Sequence, residues 1–257
     1  DAITLHEVRD DGTLGAQLLR NPQVNSHLTF DDRRAAGIDA ILTEADRRGF
    51  AFKLVISEKN EWLMNHLGRE GLPDPLGGNF NAASGSAGRW LHEAYWRYLS
   101  ARYGAHRSVH SWELVNEEAP GFGEHFRLTA ALAVQAAADG NPHLASTSTW
   151  ATLAEDAWKH PDSAPIDYVD YHAYVNNTGW LTPKDELTAD SARLFAAYDS
   201  AVQDAAFGKP VVWGELGIDG ARTTDEEEPR LAPDEAGVWL HKLTWARVGP
   251  GGVYPLY

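Results

Sequence analysis

The sequence has no cysteine, which excludes both a disulfide framework and a thiolate metal site. It has no basic run, and with a net charge of −15 nucleic acid is not expected as a partner, because phosphate binding relies on clustered Lys and Arg. No apolar stretch approaches the roughly 20 residues of a membrane-spanning helix, so no membrane association is expected. No glycine-rich phosphate loop follows any strand-like run, which removes support for nucleotide binding. Eleven histidines are present, yet neither H-x-H nor H-E-x-x-H occurs, so no metal and no cofactor is expected. The opening Asp1-Ala2-Ile3 does not read as a signal peptide, and the chain is expected to be cytosolic, already processed or trimmed.

What is present is an ordinary globular composition of 257 residues, 43% of them apolar, the size at which an α/β barrel of about 250 residues forms a single domain. Ten tryptophans suit stacking on sugar faces as well as core packing. Strand-like runs alternate with helical periodicity along the chain: strands at 2–8, 50–56, 109–115, 143–150, 166–174, 210–214 and 252–257, helices from about 32, at 87–103, 126–138, 191–206 and 233–248. In the first helix Ala36, Ile38, Ile41, Leu42 and Ala45 recur on one face, and Gly49 stops it. Residues 10–26 read as a loop, and 57–86 as a long polar loop of the kind that shapes a cleft, with Trp62, Met64 and His66 as candidates to face a ligand. This alternation predicts a parallel sheet covered by helices.

Two of the strands end in carboxylates. The run H-S-W-E-L-V-N-E delivers Asn116 and Glu117, and K-P-V-V-W-G-E-L-G delivers Glu215. Barrel enzymes carry their catalytic groups at the carboxyl ends of strands, and glycoside cleavage needs a pair of carboxyl groups facing one bond. A barrel of about 250 residues has roughly 31 per βα unit, so about three units separate the two glutamates. Glu118 is expected to project elsewhere. Asp225-Glu226-Glu227-Glu228 lacks the alternating oxygen ligands of a calcium loop and reads as a solvated face.

With these motifs in order, the chain resembles the retaining (β/α)8 glycoside hydrolases of clan A, and most of all glycoside hydrolase family five, the cellulase and mannanase group. Asn116-Glu117 matches the Asn-Glu that ends the family's fourth strand, His172-Ala173-Tyr174 the His-x-Tyr after the sixth, and Glu215 the nucleophile ending the seventh. The resemblance implies a TIM barrel in which 2–8 is the second strand, the first strand and the last helix are missing, and residues 1–257 form one catalytic domain cut at both ends. The family's strand-two arginine and strand-eight tryptophan have no counterpart.

The resemblance also implies roles. Glu117 is the acid/base, protonated at the start of the cycle, and Glu215 the ionised nucleophile of a double displacement. Asn116 meets the sugar 2-hydroxyl, Tyr174 holds Glu215 through its hydroxyl, and His172 lines the subsite. Trp150 and Trp180 are the candidates for sugar stacking, while Trp213 reads as core. The expected partner is a β-linked polysaccharide or oligosaccharide, and a secreted or extracellular location goes with polysaccharide degradation. The competing expectation is a carbohydrate-binding pseudoenzyme on a truncated barrel.

Overall fold

The computed structural model describes residues 6–8, 11, 14–17, 30, 32–57, 84–85, 87–117, 121, 123–150, 154–175, 196, 200, 205, 207–218, 241 and 244–245; for 6–8, 14–17, 86–88, 150, 173–175 and 216–218 only backbone is described, where it is described at all. Among these residues the chain falls into two compact units, 1–115 with 124–145, and 116–123 with 146–257.

The first unit opens with a hairpin. Strand β1 (His6–Val8) pairs antiparallel with β2 (Leu14–Gln17). This corrects the expectation that 2–8 is a parallel barrel strand followed by a loop. Asp11 lies in a turn between them, and a connection this short can join only antiparallel neighbours.

Helix α1 (Asp32–Arg48) follows and ends at Gly49, whose φ of 73° is the left-handed conformation a helix stop requires. It packs through Ala35, Leu42 and Ala45, whereas Ile38 and Ile41, expected on the same face, are exposed. Strand β3 (Phe52–Val55) pairs parallel with β4 (Val109–Glu113), and α2 (Ala87–Tyr103) is the crossover between them that parallel pairing demands. Strand β5 (Leu144–Ser146) is the third member of this sheet, reached through α3 (Glu124–Ala138).

The core under these elements is built on tryptophan. Trp96 of α2 and Trp112 of β4 meet edge to face with centroids 5.0 Å apart, and Leu42, Leu91, Leu128 and Leu132 close around them. Trp96 is fully buried, whereas Trp90 on the same helix is half exposed. α1 is tied to α2 by Arg102, whose guanidinium takes both oxygens of Asp39 at 2.7 and 3.1 Å. That fork holds the Asp39 carboxyl below its ordinary range. Glu113, the fully buried end of β4, is paired with Lys53 of β3.

The second unit is a parallel sheet of β6 (Ser148–Trp150), β7 (Val169–Val175) and β8 (Val211–Ile218) in that order. The run 143–150, expected as one strand, is therefore divided at Thr147 between two sheets. Between β6 and β7 lie the short helix α4 (Glu155–Trp158) and a 3-10 turn at Pro161–Ser163, neither of which the periodicity signalled. Lys209 binds the carbonyls of Ser163, Ala164 and Ile166 and so satisfies the acceptors this turn leaves open. In the expected helices at 191–206 and 233–248, positions 196, 200, 241, 244 and 245 are helical. The expected final strand at 252–257, most of the 57–86 loop and the acidic run at 225–228 lie outside the described residues. Among the described residues no helix is long and apolar enough to cross a membrane.

One buried group in α3 gives a stability prediction. His125 is 4% exposed, packs its ring on Phe126, and its Nε2 has no hydrogen-bond partner among the described residues. Burial pushes the imidazole down to about 4. Between roughly pH 6.5 and 4 the unfolded chain then binds a proton that the folded chain does not, so stability falls as pH falls through that window, by an order of 3 kcal/mol in all. Urea unfolding at pH 7 and pH 4.5 is expected to show this loss in the wild type and a clearly smaller one in His125→Gln.

Candidate active site

The candidate residues that the structure brings together lie in the second unit, around the imidazole of His172. Val169–Val175 is apolar and β-branched at its ends and carries Asp170 and His172 at alternate positions, so these two share one face of β7. Asp170 and His172 are both buried. On the opposite face Tyr171 stacks on Trp213 of β8 with centroids 5.1 Å apart, both rings fully buried.

The register between β7 and β8 decides where Glu215 goes. Tyr171 is opposite Trp213, but the next residue, His172, is opposite Glu215, so Gly214 is an extra residue in β8. In an unbroken ladder Glu215 would stand on the same face as Trp213. The bulge shifts the phase by one, which lets Trp213 stack on Tyr171 while Glu215 meets His172 on the other side. A glycine at the inserted position is the residue that most readily takes an irregular strand conformation.

Glu117 arrives from a different part of the chain. Asn116 and Glu117 follow β4 in sequence and belong to the second unit. Glu117 has a φ of 53°, a left-handed conformation rare outside glycine, asparagine and aspartate. Its backbone N–H donates to the Ser148 hydroxyl at 2.9 Å, and that hydroxyl lies 3.5 Å from Asn116 Oδ1.

The result is a cluster with one imidazole nitrogen between two carboxylates. His172 Nδ1 is 3.2 Å from Glu117 Oε1 and 3.4 Å from Glu215 Oε2. Nε2 on the other side of the ring is 3.9 Å from Asp170 Oδ1. The ligating atoms of Glu117, His172 and Glu215 all lie within 4.8 Å of one another. The two glutamate side chains are about one-fifth exposed, while His172 is fully enclosed. The carboxylates are therefore partly open to solvent, and the imidazole is not. Two carboxylates and an imidazole nitrogen at this separation are also a donor set that a divalent cation accepts.

Of the other sequence candidates, Asn116 is half-buried beside Ser148. Trp150 is opposite His172 in the β6–β7 ladder, and Tyr174 opposite Gly217 in β7–β8, by backbone. The side chains of Trp150 and Tyr174 lie outside the described residues, as does Trp180 altogether. Sequence reasoning missed Ser148 and Asp170. Alternation along β7 marks Asp170 as a neighbour of His172 on one face; nothing in the local pattern of H-L-A-S-T-S-T-W marks Ser148.

No protein-family model matches the sequence, and no curated protein matches it. Among solved structures, the chain is similar to the hyperthermostable endo-1,4-β-D-mannanase of Thermotoga petrophila, at 15% identity and a TM-score of 0.51, over 84% of this chain and 66% of that one. It is similar to endo-glycoceramidase II of a Rhodococcus species in its iminocyclitol complex, at 12% identity and a TM-score of 0.52, over 88% of this chain and 60% of that one. Both are TIM-barrel glycoside hydrolases. The likeness is one of fold, of which the described residues form two small parallel sheets, and the chain spans less than two thirds of the length of either.

The cluster makes a prediction about charge. Two ionised carboxylates about 5 Å apart repel by roughly 3 kcal/mol at an effective dielectric of 20. With the imidazole removed in His172→Ala, adding Glu215→Gln is expected to recover about 1–3 kcal/mol of stability at pH 7, whereas the same change in the wild type recovers none. Urea denaturation of the four proteins of this double-mutant cycle measures the coupling.

Proposed function

We propose that the chain is a retaining glycoside hydrolase that cleaves β-linked polysaccharide or oligosaccharide by double displacement. The observation that carries the reading is that one carboxylate oxygen from each of Glu117 and Glu215 and a ring nitrogen of His172 all lie within 4.8 Å of one another. Retaining enzymes hold their two carboxyl groups about 5–5.5 Å apart, and inverting ones about 6.5–9.5 Å apart to admit a water. The likeness of fold to a mannanase and an endo-glycoceramidase supports the same class.

In this mechanism Glu117 donates a proton to the leaving oxygen while Glu215 attacks the anomeric carbon, forming a covalent glycosyl ester and breaking the glycosidic bond. Glu117 then takes a proton from water, which displaces Glu215 and releases the sugar with its configuration retained. His172 Nδ1, hydrogen-bonded to Glu117 and 3.4 Å from Glu215, holds the two carboxyl groups on either side of one reacting centre. Asn116 contacts the sugar 2-hydroxyl, where a hydrogen bond strengthens as the oxocarbenium-like transition state develops. Tyr174 steadies Glu215, and Trp150 and Trp180 supply stacking surfaces. The substrate is of the cellulose or mannan type, residues 1–257 act as one catalytic domain, and a secreted or extracellular location suits a polymeric substrate.

The test is intact-mass analysis after incubation with activated 2-fluoro-β-glycosides of glucose and mannose. A single fluorosugar adduct is expected on the wild type and none on Glu215→Gln, with Glu117→Ala still labelling and recovering turnover of activated substrates when azide is added. Full activity in excess EDTA is expected as well; loss of activity with chelator, restored by a divalent cation, would favour a metal-dependent hydrolase using Glu117, His172 and Glu215 as ligands. A folded protein that binds oligosaccharide yet takes no label would favour the pseudoenzyme.

A further inference from the structure

We infer that Ser148 is the positioning residue for the acid/base, an inference that rests on the glycosidase reading above. Three observations converge on it. Glu117 holds a left-handed backbone at φ 53°, which is strained for a non-glycine residue and persists where the surroundings enforce it. The backbone N–H of that same residue donates to Ser148 Oγ at 2.9 Å. And Ser148 is fully buried as the first residue of β6, its strand position fixed by pairing with Asp170 of β7.

The geometry makes the hydroxyl a two-sided clamp. It accepts from Glu117 N–H and turns its own hydrogen toward Asn116 Oδ1, 3.5 Å away. With its oxygen so engaged, the Asn116 amide is left with its NH₂ group for a sugar hydroxyl. One serine on a rigid strand thus fixes the backbone of the proton donor and the polarity of its neighbour. The β7 ladder that places Ser148 beside Asp170 also carries His172, so acid/base and imidazole are referenced to the same strand.

A residue that acts through Glu117 has a signature that general loss of structure does not share. Leaving groups that depart unaided need no proton, so only substrates with poor leaving groups depend on the acid. For Ser148→Ala we expect kcat/KM on a phenyl β-glycoside to fall by about ten-fold or more, a part of the roughly 10²–10⁴ that general acid catalysis supplies. On the 2,4-dinitrophenyl β-glycoside, kcat/KM should change by less than about two-fold, and the rate of labelling by the dinitrophenyl 2-fluoroglycoside should match the wild type. Ser148→Thr, which keeps the hydroxyl, should restore the phenyl glycoside rate. If the alanine variant does not fold, Ser148→Cys carries the same comparison with a sulfur that is a poor hydrogen-bond acceptor.

Equal losses on the two substrates, or no loss on either, would overturn the assignment while leaving the glycosidase reading in place. A wild type that neither turns over the glycosides nor takes the label would overturn that reading, and the role of Ser148 with it.

Discussion

Two carboxylates held within 4.8 Å of each other are an arrangement that electrostatics opposes, and the fold of the second unit is shaped around making it tolerable. Were both ionised, they would repel by roughly 3 kcal/mol at the effective dielectric of a partly exposed site, a sizeable share of the 5–15 kcal/mol that keeps a typical domain folded. His172 is the answer the structure supplies. Its Nδ1 is 3.2 and 3.4 Å from the two glutamates, and it is buried so that the ring cannot swing away. Behind it Asp170 lies 3.9 Å from Nε2. Glutamate, imidazole and aspartate follow one another on a single face, with the open side left to the two glutamates.

Bringing the carboxylates there takes two departures from regular backbone. In β8 the extra residue Gly214 shifts Glu215 onto the face of His172 without giving up the stack of Trp213 on Tyr171. At Glu117 the chain takes a left-handed turn that ends with the N–H on Ser148. Each has a cost of its own, and each is braced by buried neighbours: two large rings in the first case, a strand hydroxyl in the second. Strain held at a site by a rigid frame is the pattern expected where geometry serves chemistry rather than stability.

Much of this was legible in the sequence, for definite reasons. The strands that begin at 109 and 211 announce themselves by apolar, β-branched and aromatic runs, and a polar residue at the end of such a run has few places to go but a cleft. The bounds of helix α2 were readable to the residue, with Gly104 as its stop. Order and spacing of N-E, H-A-Y and G-E-L-G carried the link between Glu117, His172 and Glu215, which are far apart in the chain. What was not legible depends on pairing. The hairpin of β1 and β2 follows from which segments meet, and so does the division of 143–150 at Thr147 between two sheets. Glu215 was placed just after its strand, yet it stands within β8, and only the register reveals that Gly214 is a bulge. Ser148 escaped because its role rests on a hydrogen bond to residue 117, across 31 positions of chain, and serine has no periodicity to betray it.

The central claim is that this carboxylate spacing runs a double displacement, and the stereochemistry of the first-formed product tests it most directly. Proton NMR of the anomeric region, recorded in the first minutes of hydrolysis of a β-linked oligosaccharide, should show the β-anomer appearing first and the α-anomer growing only by mutarotation. Appearance of the α-anomer first would mean that water, and not Glu215, attacks the anomeric carbon, and the account would be wrong at its centre.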